Sequence, residues 1–163
     1  MTKDYWVIAA LAVGSMVLLL VFVQRSRTRE GLFAFVAAQS ISWPGTIVFA
    51  YMGAIESPVR LFPKATDSNF IISYIFIPAI FVVYYLHYPK HKSRIIQIAF
   101  TLMVTGAASL THVAIQKYTD LLVYITFSGY RGWFSTLIIY YVLRRYTDWF
   151  FARLSKIKVG EAK

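Results

Sequence analysis

The sequence predicts an all-α fold, a polytopic bundle of about five transmembrane helices with the N-terminus outside and the C-terminus in the cytoplasm. Of its 163 residues, 58% are hydrophobic and 15% are charged, which is more apolar than a soluble domain of this size normally is. The apolar residues form five stretches separated by short loops, at 5–23, 32–54, 70–88, 95–115 and 133–151. A helix of about 20 residues crosses a hydrocarbon core about 30 Å thick. We therefore expect residues 1–163 to form a single transmembrane domain.

The basic residues predict the orientation of the chain. Lys and Arg number 17, and 12 of them follow the first or third stretch or lie near the C-terminus: Arg25, Arg27, Arg29, Lys90, Lys92, Arg94, Arg144, Arg145, Arg153, Lys156, Lys158 and Lys163. Cytoplasmic loops carry an excess of such residues. This side, with the basic tail 152–163, is therefore expected in the cytoplasm against anionic lipid. Charge placed at the ends of apolar stretches indicates the lipid bilayer as the partner, not nucleic acid.

The first stretch is expected to be an uncleaved anchor. A signal peptide carries its positive charge before a shorter apolar region, whereas here Lys3 is offset by Asp4 and the arginines follow Val23.

Prolines predict kinks in the second and third spans. Pro44 and Pro78 lie within these spans, and proline cannot donate a backbone hydrogen bond. Hydroxyls or neighbouring helices must then satisfy the freed carbonyls.

Polar side chains form a stripe on the second and fourth spans. At 100° per residue the fourth-span members share one face about 120° wide. The stripe consists of Gln39, Ser42, Thr46, Gln97, Thr101, Thr105, Ser109, His112 and Gln116. We expect spans two and four to pack together through it, either as ordinary interhelical hydrogen bonding or as a narrow polar path for a small solute.

The fifth span has two possible boundaries. Only Trp133–Leu143 precedes Arg144 and Arg145. Either the helix continues through residue 151 with both arginines extending to the phosphates, or 121–143 spans with Arg131 buried. Glycines on both sides of Arg131 favour the first alternative.

The connection between spans two and three carries the most distinctive motif. It mixes charged and apolar residues between two prolines, and its candidate partner- or headgroup-binding residues are Glu56, Arg60, Phe62 and Lys64. Glu56 and Arg60 are four apart and would pair if the segment were helical. The segment is either an interfacial elbow or an outward docking and anion-binding surface.

This motif also carries a resemblance. Pro58–Lys64, with 116–122 and Tyr130–Trp133, resembles a family of small multi-pass membrane proteins from spore-forming Gram-positive bacteria. The similarity covers roughly residues 45–140. Relatives often carry a glutamate near Thr111 and a histidine near Phe134, and this chain has neither. The resemblance implies the same architecture and a bacterial plasma membrane, and it implies no reaction.

Few chemistries fit this composition. The chain has no cysteine, which excludes thiolate metal sites and cysteine nucleophiles. No acid or lysine lies deep in a span, which argues against an ion-coupled carrier. His87 and His91 are expected on the opposite side from His112, which argues against a shared metal or haem. We predict no catalytic, metal or cofactor site.

Three functions follow from these observations. The first is a non-enzymatic membrane protein that acts as a partner or assembly subunit, as a homo-oligomer or with another membrane protein. The second is a small-solute channel or carrier with a polar path between spans two and four. The third is an outer-face enzyme that uses His112 with Asp120 or Glu56.

Overall fold

The computed structural model describes the backbone of residues 2–161 and the side chains of residues 3–155. Most of this length is helical, which confirms the all-α prediction. The α-helices are α1 (Thr2–Phe22), α2 (Thr28–Tyr51), α3 (Ile77–Leu86), α4 (Arg94–Tyr118) and α5 (Gly129–Glu161). A 3₁₀ turn at Arg25–Arg27 precedes α2, and a π-helical segment at Ile71–Phe76 leads into α3. Each predicted apolar stretch thus overlaps one α-helix.

Within the described part of the chain, three helical stretches are long and apolar enough to cross a membrane: Lys3–Phe22, Arg25–Tyr51 and Arg94–Tyr118. The apolar stretch Ile71–Leu86 is shorter, since at about 1.5 Å per residue it spans about 24 Å. Helix α5 has 33 residues but carries several charges in its second half. Residues 152–161 of the predicted basic tail continue this helix, and residues 162–163 lie outside the described part of the chain.

Four helices form a ring. Helix α2 packs on α3, α3 on α4, α4 on α5, and α5 on α2, while α1 lies against the outside of α3 and its π-helical segment. Helices α2 and α4 therefore occupy diagonal positions. The expectation that spans two and four pack together is wrong for residues 2–161, because α3 and α5 lie between them. The small-residue face of α2 contacts α3 instead, with Ala34 and Ala38 buried in one cluster with Phe81 and Val82.

The loops at one end of the ring are joined by a short antiparallel ladder. Strand β1 (Ile55–Glu56) pairs with β2 (Val123–Tyr124), with Ile55 opposite Tyr124. The N-terminus of α1 joins this layer, since Asp4 is buried and its Oδ1 accepts from the backbone N–H of Asp120 at 3.3 Å. We call this layer, formed by loops 52–70 and 119–128, the strand end. The opposite end, formed by loops 23–27 and 87–93 and the second half of α5, is the basic end.

Pro78 explains how α2 and α3 are fixed against each other. It cannot donate to the carbonyls five and four residues before it, which belong to Ser73 and Tyr74. Two side chains of α2 replace the missing donor: Ser42 Oγ donates to Ser73 O at 2.7 Å, and Gln39 Nε2 donates to Tyr74 O at 3.0 Å. The predicted satisfaction of freed carbonyls by a neighbouring helix is confirmed here.

Candidate functional site

The polar stripe of α4 is used for helix–helix hydrogen bonds along its first half. Gln97 Oε1 accepts from the Tyr88 hydroxyl at 3.1 Å, and its Nε2 donates to two carbonyls of the 87–93 loop. Thr101 Oγ1 lies 3.2 Å from the Tyr84 hydroxyl. Thr105 is fully buried, and its hydroxyl accepts from Trp133 Nε1 at 3.2 Å. These three residues connect α4 to α3, its following loop and α5.

The remaining members of the predicted polar path lie in three separate places. Gln39 holds the π-helical segment, as described above. Ser109 is half-buried on α4. Thr46 and His112 both line a cavity, which they approach from diagonal helices. The structure therefore does not bring the predicted path residues together as one continuous row.

The cavity occupies the strand-end half of the ring and measures about 120 Å³. Its walls come from α2, the π-helical segment, α3, α4 and α5, and its roof comes from both loops of the strand end. Tyr140, which is fully buried, lines the floor. Beyond it, toward the basic end, the ring is filled by aromatic side chains, with Phe81 and Tyr84 each 5.2 Å from the Tyr140 ring. The cavity is therefore closed at mid-depth.

Among the described polar residues that line the cavity, His112 is the one with a buried, unused hydrogen-bonding atom. It lies six residues before the end of α4, about 9 Å along the helix axis, and its ring meets Phe76 edge-on at 6.3 Å. Its Nε2 is enclosed and has no hydrogen-bond partner within the described part of the chain. Asp120 and Glu56 do not line the cavity, and neither is hydrogen-bonded to His112 among the contacts of residues 3–155. In the roof, burial raises the pKa of the Tyr124 phenol above its usual range.

Arg60 organises the loop that carries the distinctive motif. Its guanidinium donates to Asp67 Oδ1 at 2.9 Å and to Ser57 O at 3.0 Å. Glu56 lies in β1 and points outward, so the helical pair between Glu56 and Arg60 does not form. The reason is that the segment adopts strand and turn backbone around Pro58 instead of a helical turn. Asn69 adds a second tie, because its Nδ2 donates to Val59 O at 3.1 Å.

The other motif residues are displayed on the outside of this loop. Glu56 and Lys64 are exposed, and Phe62 is 51% exposed while its ring meets Phe70 edge-on at 5.5 Å. We call Glu56, Phe62 and Lys64 the strand-end surface. Its backbone is held by Arg60 and Asn69, so these side chains project from a fixed loop.

A charge network at the basic end was not predicted. Asp148 accepts from Lys90 Nζ at 2.6 Å and from the Tyr85 hydroxyl at 3.2 Å, and Arg144 approaches its other oxygen at 3.5 Å. The Arg144 guanidinium also lies 4.1 Å from the centre of the Tyr88 ring. The i,i+4 spacing of Arg144 and Asp148 is visible in the sequence, but the contact with Lys90 requires the fold.

No group of three or more His, Asp or Glu side chains suited to a metal ion occurs among the described residues. Comparisons with models of known protein families, with curated proteins and with solved structures find no match to this chain. The two candidate sites, the cavity and the strand-end surface, are therefore defined by their own geometry.

Proposed function

We propose that this chain is an integral membrane protein of a bacterial plasma membrane that crosses the bilayer five times and has a non-enzymatic role as a partner or assembly subunit. Its N-terminus lies outside and its C-terminus in the cytoplasm. The strand end is then external, and the basic end faces the anionic lipid of the cytoplasmic leaflet.

The distribution of exposed side chains supports membrane insertion. Helices α1, α4 and α5 display large apolar side chains outward, including Leu20 at 76%, Leu110 at 72% and Ile138 at 50% exposed. In water such contiguous faces would be unstable, whereas in lipid they are the ordinary surface of a spanning helix.

The charge network of the basic end supports a crossing by α5. Asp148 pairs with Lys90 and approaches Arg144, which leaves one net positive charge at the point where we place the end of the membrane crossing. Arg145 is exposed and free to extend toward the phosphates, as long cationic side chains do near the ends of membrane helices. The apolar stretch Ile71–Leu86 is short for a crossing. The proposed crossing by α3 therefore also uses the adjacent residues 87–88.

One observation carries the functional proposal: the strand-end surface is exposed on a loop that Arg60 and Asn69 hold in place. Gln97, Thr101 and Thr105 of α4 are by contrast engaged in hydrogen bonds within the bundle. Arg60 pairs with Asp67 of the same loop, so neither of these two groups occupies Glu56 or Lys64. An exposed aromatic ring on a loop that also exposes an acid and a lysine suits a protein surface of complementary charge.

A photo-crosslinking amino acid at position 62 tests this proposal in the membrane of the producing bacterium. The same amino acid at Met103, which is 63% exposed on α4, is the matched control for a lipid-facing position. We expect a discrete product from position 62, of twice the chain's mass for a homo-oligomer or of another defined mass for a different membrane protein, and no such product from position 103. No product at position 62, or identical products at both positions, would refute the proposal.

Reporter fusions test the orientation separately. Fusions after Arg29, Arg94 and Lys163 should report a cytoplasmic location, and a fusion after Lys64 an external one. An external C-terminus would overturn the assignment of the strand end to the outside.

A further inference from the structure

The cavity has an opening that faces lipid if the ring spans a membrane as proposed. Its roof residues Ser57, Ser68 and Asn69 are buried. In contrast, Ile41 of α2 is 39% exposed, and Thr136 of α5 is half-buried. The gap between α2 and α5 is therefore an accessible side of the cavity. These two helices meet at the basic end, where Phe33 of α2 stacks on Phe150 of α5 at 4.0 Å.

The residues that line the cavity favour an uncharged ligand about the size of one aromatic ring. Among the described residues, no Asp, Glu, Lys or Arg lines the cavity. The lining is mostly apolar and includes four aromatic rings, those of Phe49, Tyr124, Phe127 and Tyr140. Aromatic side chains favour edge-to-face and offset contacts with another ring. A volume of about 120 Å³ is close to that of apolar cavities that hold a benzene molecule, about 150 Å³.

His112 adds the requirement for one polar group. A buried nitrogen without a hydrogen-bond partner is destabilising relative to a bonded one. The imidazole Nε2 is a donor in one neutral tautomer and an acceptor in the other. A hydroxyl group complements both tautomers, because it donates and accepts.

We propose that the cavity between α2, α3, α4 and α5 binds a neutral phenol-like molecule, an aromatic ring with one hydroxyl group. The aromatic ring of the ligand enters from the bilayer between α2 and α5 and stacks among the aromatic side chains of the lining. A rotation of the His112 side chain then turns its enclosed Nε2 toward the ligand hydroxyl, which bonds it. The proposal is independent of the partner surface at Phe62, so either can fail without the other.

Fluorine NMR of the purified protein in lipid nanodiscs tests the proposal with two probes of nearly equal size, 4-fluorophenol and fluorobenzene. Empty nanodiscs give the background from partition into lipid. We expect saturable binding of 4-fluorophenol, with an affinity about tenfold above that of fluorobenzene, the factor that one hydrogen bond of about 1.4 kcal/mol supplies. His112→Phe should reduce this preference to about twofold or less.

Filling the cavity provides the second variant. Gly45 lines the cavity, and a Cβ there would meet open space, so Gly45→Leu should abolish binding of both probes. Gly14 on α1 also has open space around a Cβ and is exposed, so Gly14→Leu is the matched control and should leave binding unchanged. Absence of saturable binding to the wild-type protein, or binding that survives Gly45→Leu, would overturn the proposal. So would an unchanged preference for the phenol in His112→Phe.

Discussion

Gln39 and Ser42 of α2 donate hydrogen bonds to the π-helical segment. Replacing both should destabilise the protein more when Pro78 is present than when it is replaced by alanine. Gln39→Leu and Ser42→Ala leave the carbonyls of Tyr74 and Ser73 without their side-chain donors at 3.0 and 2.7 Å. If the third apolar stretch crosses the bilayer as proposed, no water competes for these carbonyls. Measured hydrogen bonds between membrane helices average about 0.6 kcal/mol and reach about 1.7. We take about 1 kcal/mol for each bond and about 2 for the double variant.

Pro78→Ala restores the missing backbone donor. The new amide at position 78 can bond one of the two carbonyls, so the double variant in this background should cost about 1 kcal/mol less. This difference is a coupling energy in a thermodynamic cycle, and it exceeds the scatter of about 0.3–0.5 kcal/mol seen for independent sites.

The assay is equilibrium unfolding by SDS titration in mixed micelles, followed by far-UV circular dichroism. Ser40→Ala is the control, because this hydroxyl on α2 bonds Ala37 O in its own helix, and its loss should change stability by less than about 0.5 kcal/mol. Equal costs of the double variant in the wild-type and Pro78→Ala backgrounds would refute the reasoning. The α2 side chains would then act through packing and not through replacement of the proline's donor.

Three further predictions use the same unfolding measurement. Thr105→Val should cost about 1–2 kcal/mol, because the indole N–H of Trp133 loses its acceptor inside the ring, whereas Thr105→Ser should cost less than half of that. Asp148→Asn should cost about 0.5–1 kcal/mol at low salt and less at high salt, because it leaves Lys90 without its anion in a network that is only partly buried. Tyr124 has a raised pKa in the folded state, so its contribution is complete below pH about 10 and declines as pH rises beyond that value. Tyr124→Phe should therefore flatten the loss of stability at alkaline pH.

Each of these predictions has a contradicting result. An equal loss of stability in Thr105→Val and Thr105→Ser would show that the hydrogen bond from Trp133 does not contribute to stability. A cost at Asp148 that is independent of salt would indicate packing instead of charge. If stability falls with alkaline pH in the same way in Tyr124→Phe, ionisation of Tyr124 does not cause the loss.

The sequence was sufficient to predict the helices and part of their chemistry. Apolar runs of about 20 residues are long enough to specify a helix, and each of the five overlaps one in the structure. Pro78 was sufficient to predict an orphaned carbonyl, since the loss of the donor is a property of the residue itself. Which side chain replaces that donor depends on the neighbouring helix and was not predictable.

The helix pairing and the loop contacts could not be predicted. The alanine face of α2 permits a close approach by any helix, so it does not distinguish α3 from α4. The β1–β2 ladder joins two distant loops through two residues on each side, which is too short for an alternating pattern. Arg60 pairs with Asp67 because Pro58 prevents the helical turn that Glu56 would need. Each of these outcomes depends on tertiary geometry.

The position of the cavity follows from the sizes of the side chains around the ring. In the strand-end half, α2 contributes Gly45 and Thr46, and α5 contributes Gly132 and Ser135, so the small side chains of these two neighbouring helices leave the space between the four helices unfilled. In the basic half, large aromatic residues such as Phe81 fill the ring completely. A polar solute that entered from the strand end would meet the buried Tyr140 at the cavity floor. The geometry thus suits a molecule that binds and leaves on the same side, and it gives little support to passage through the bundle along α4.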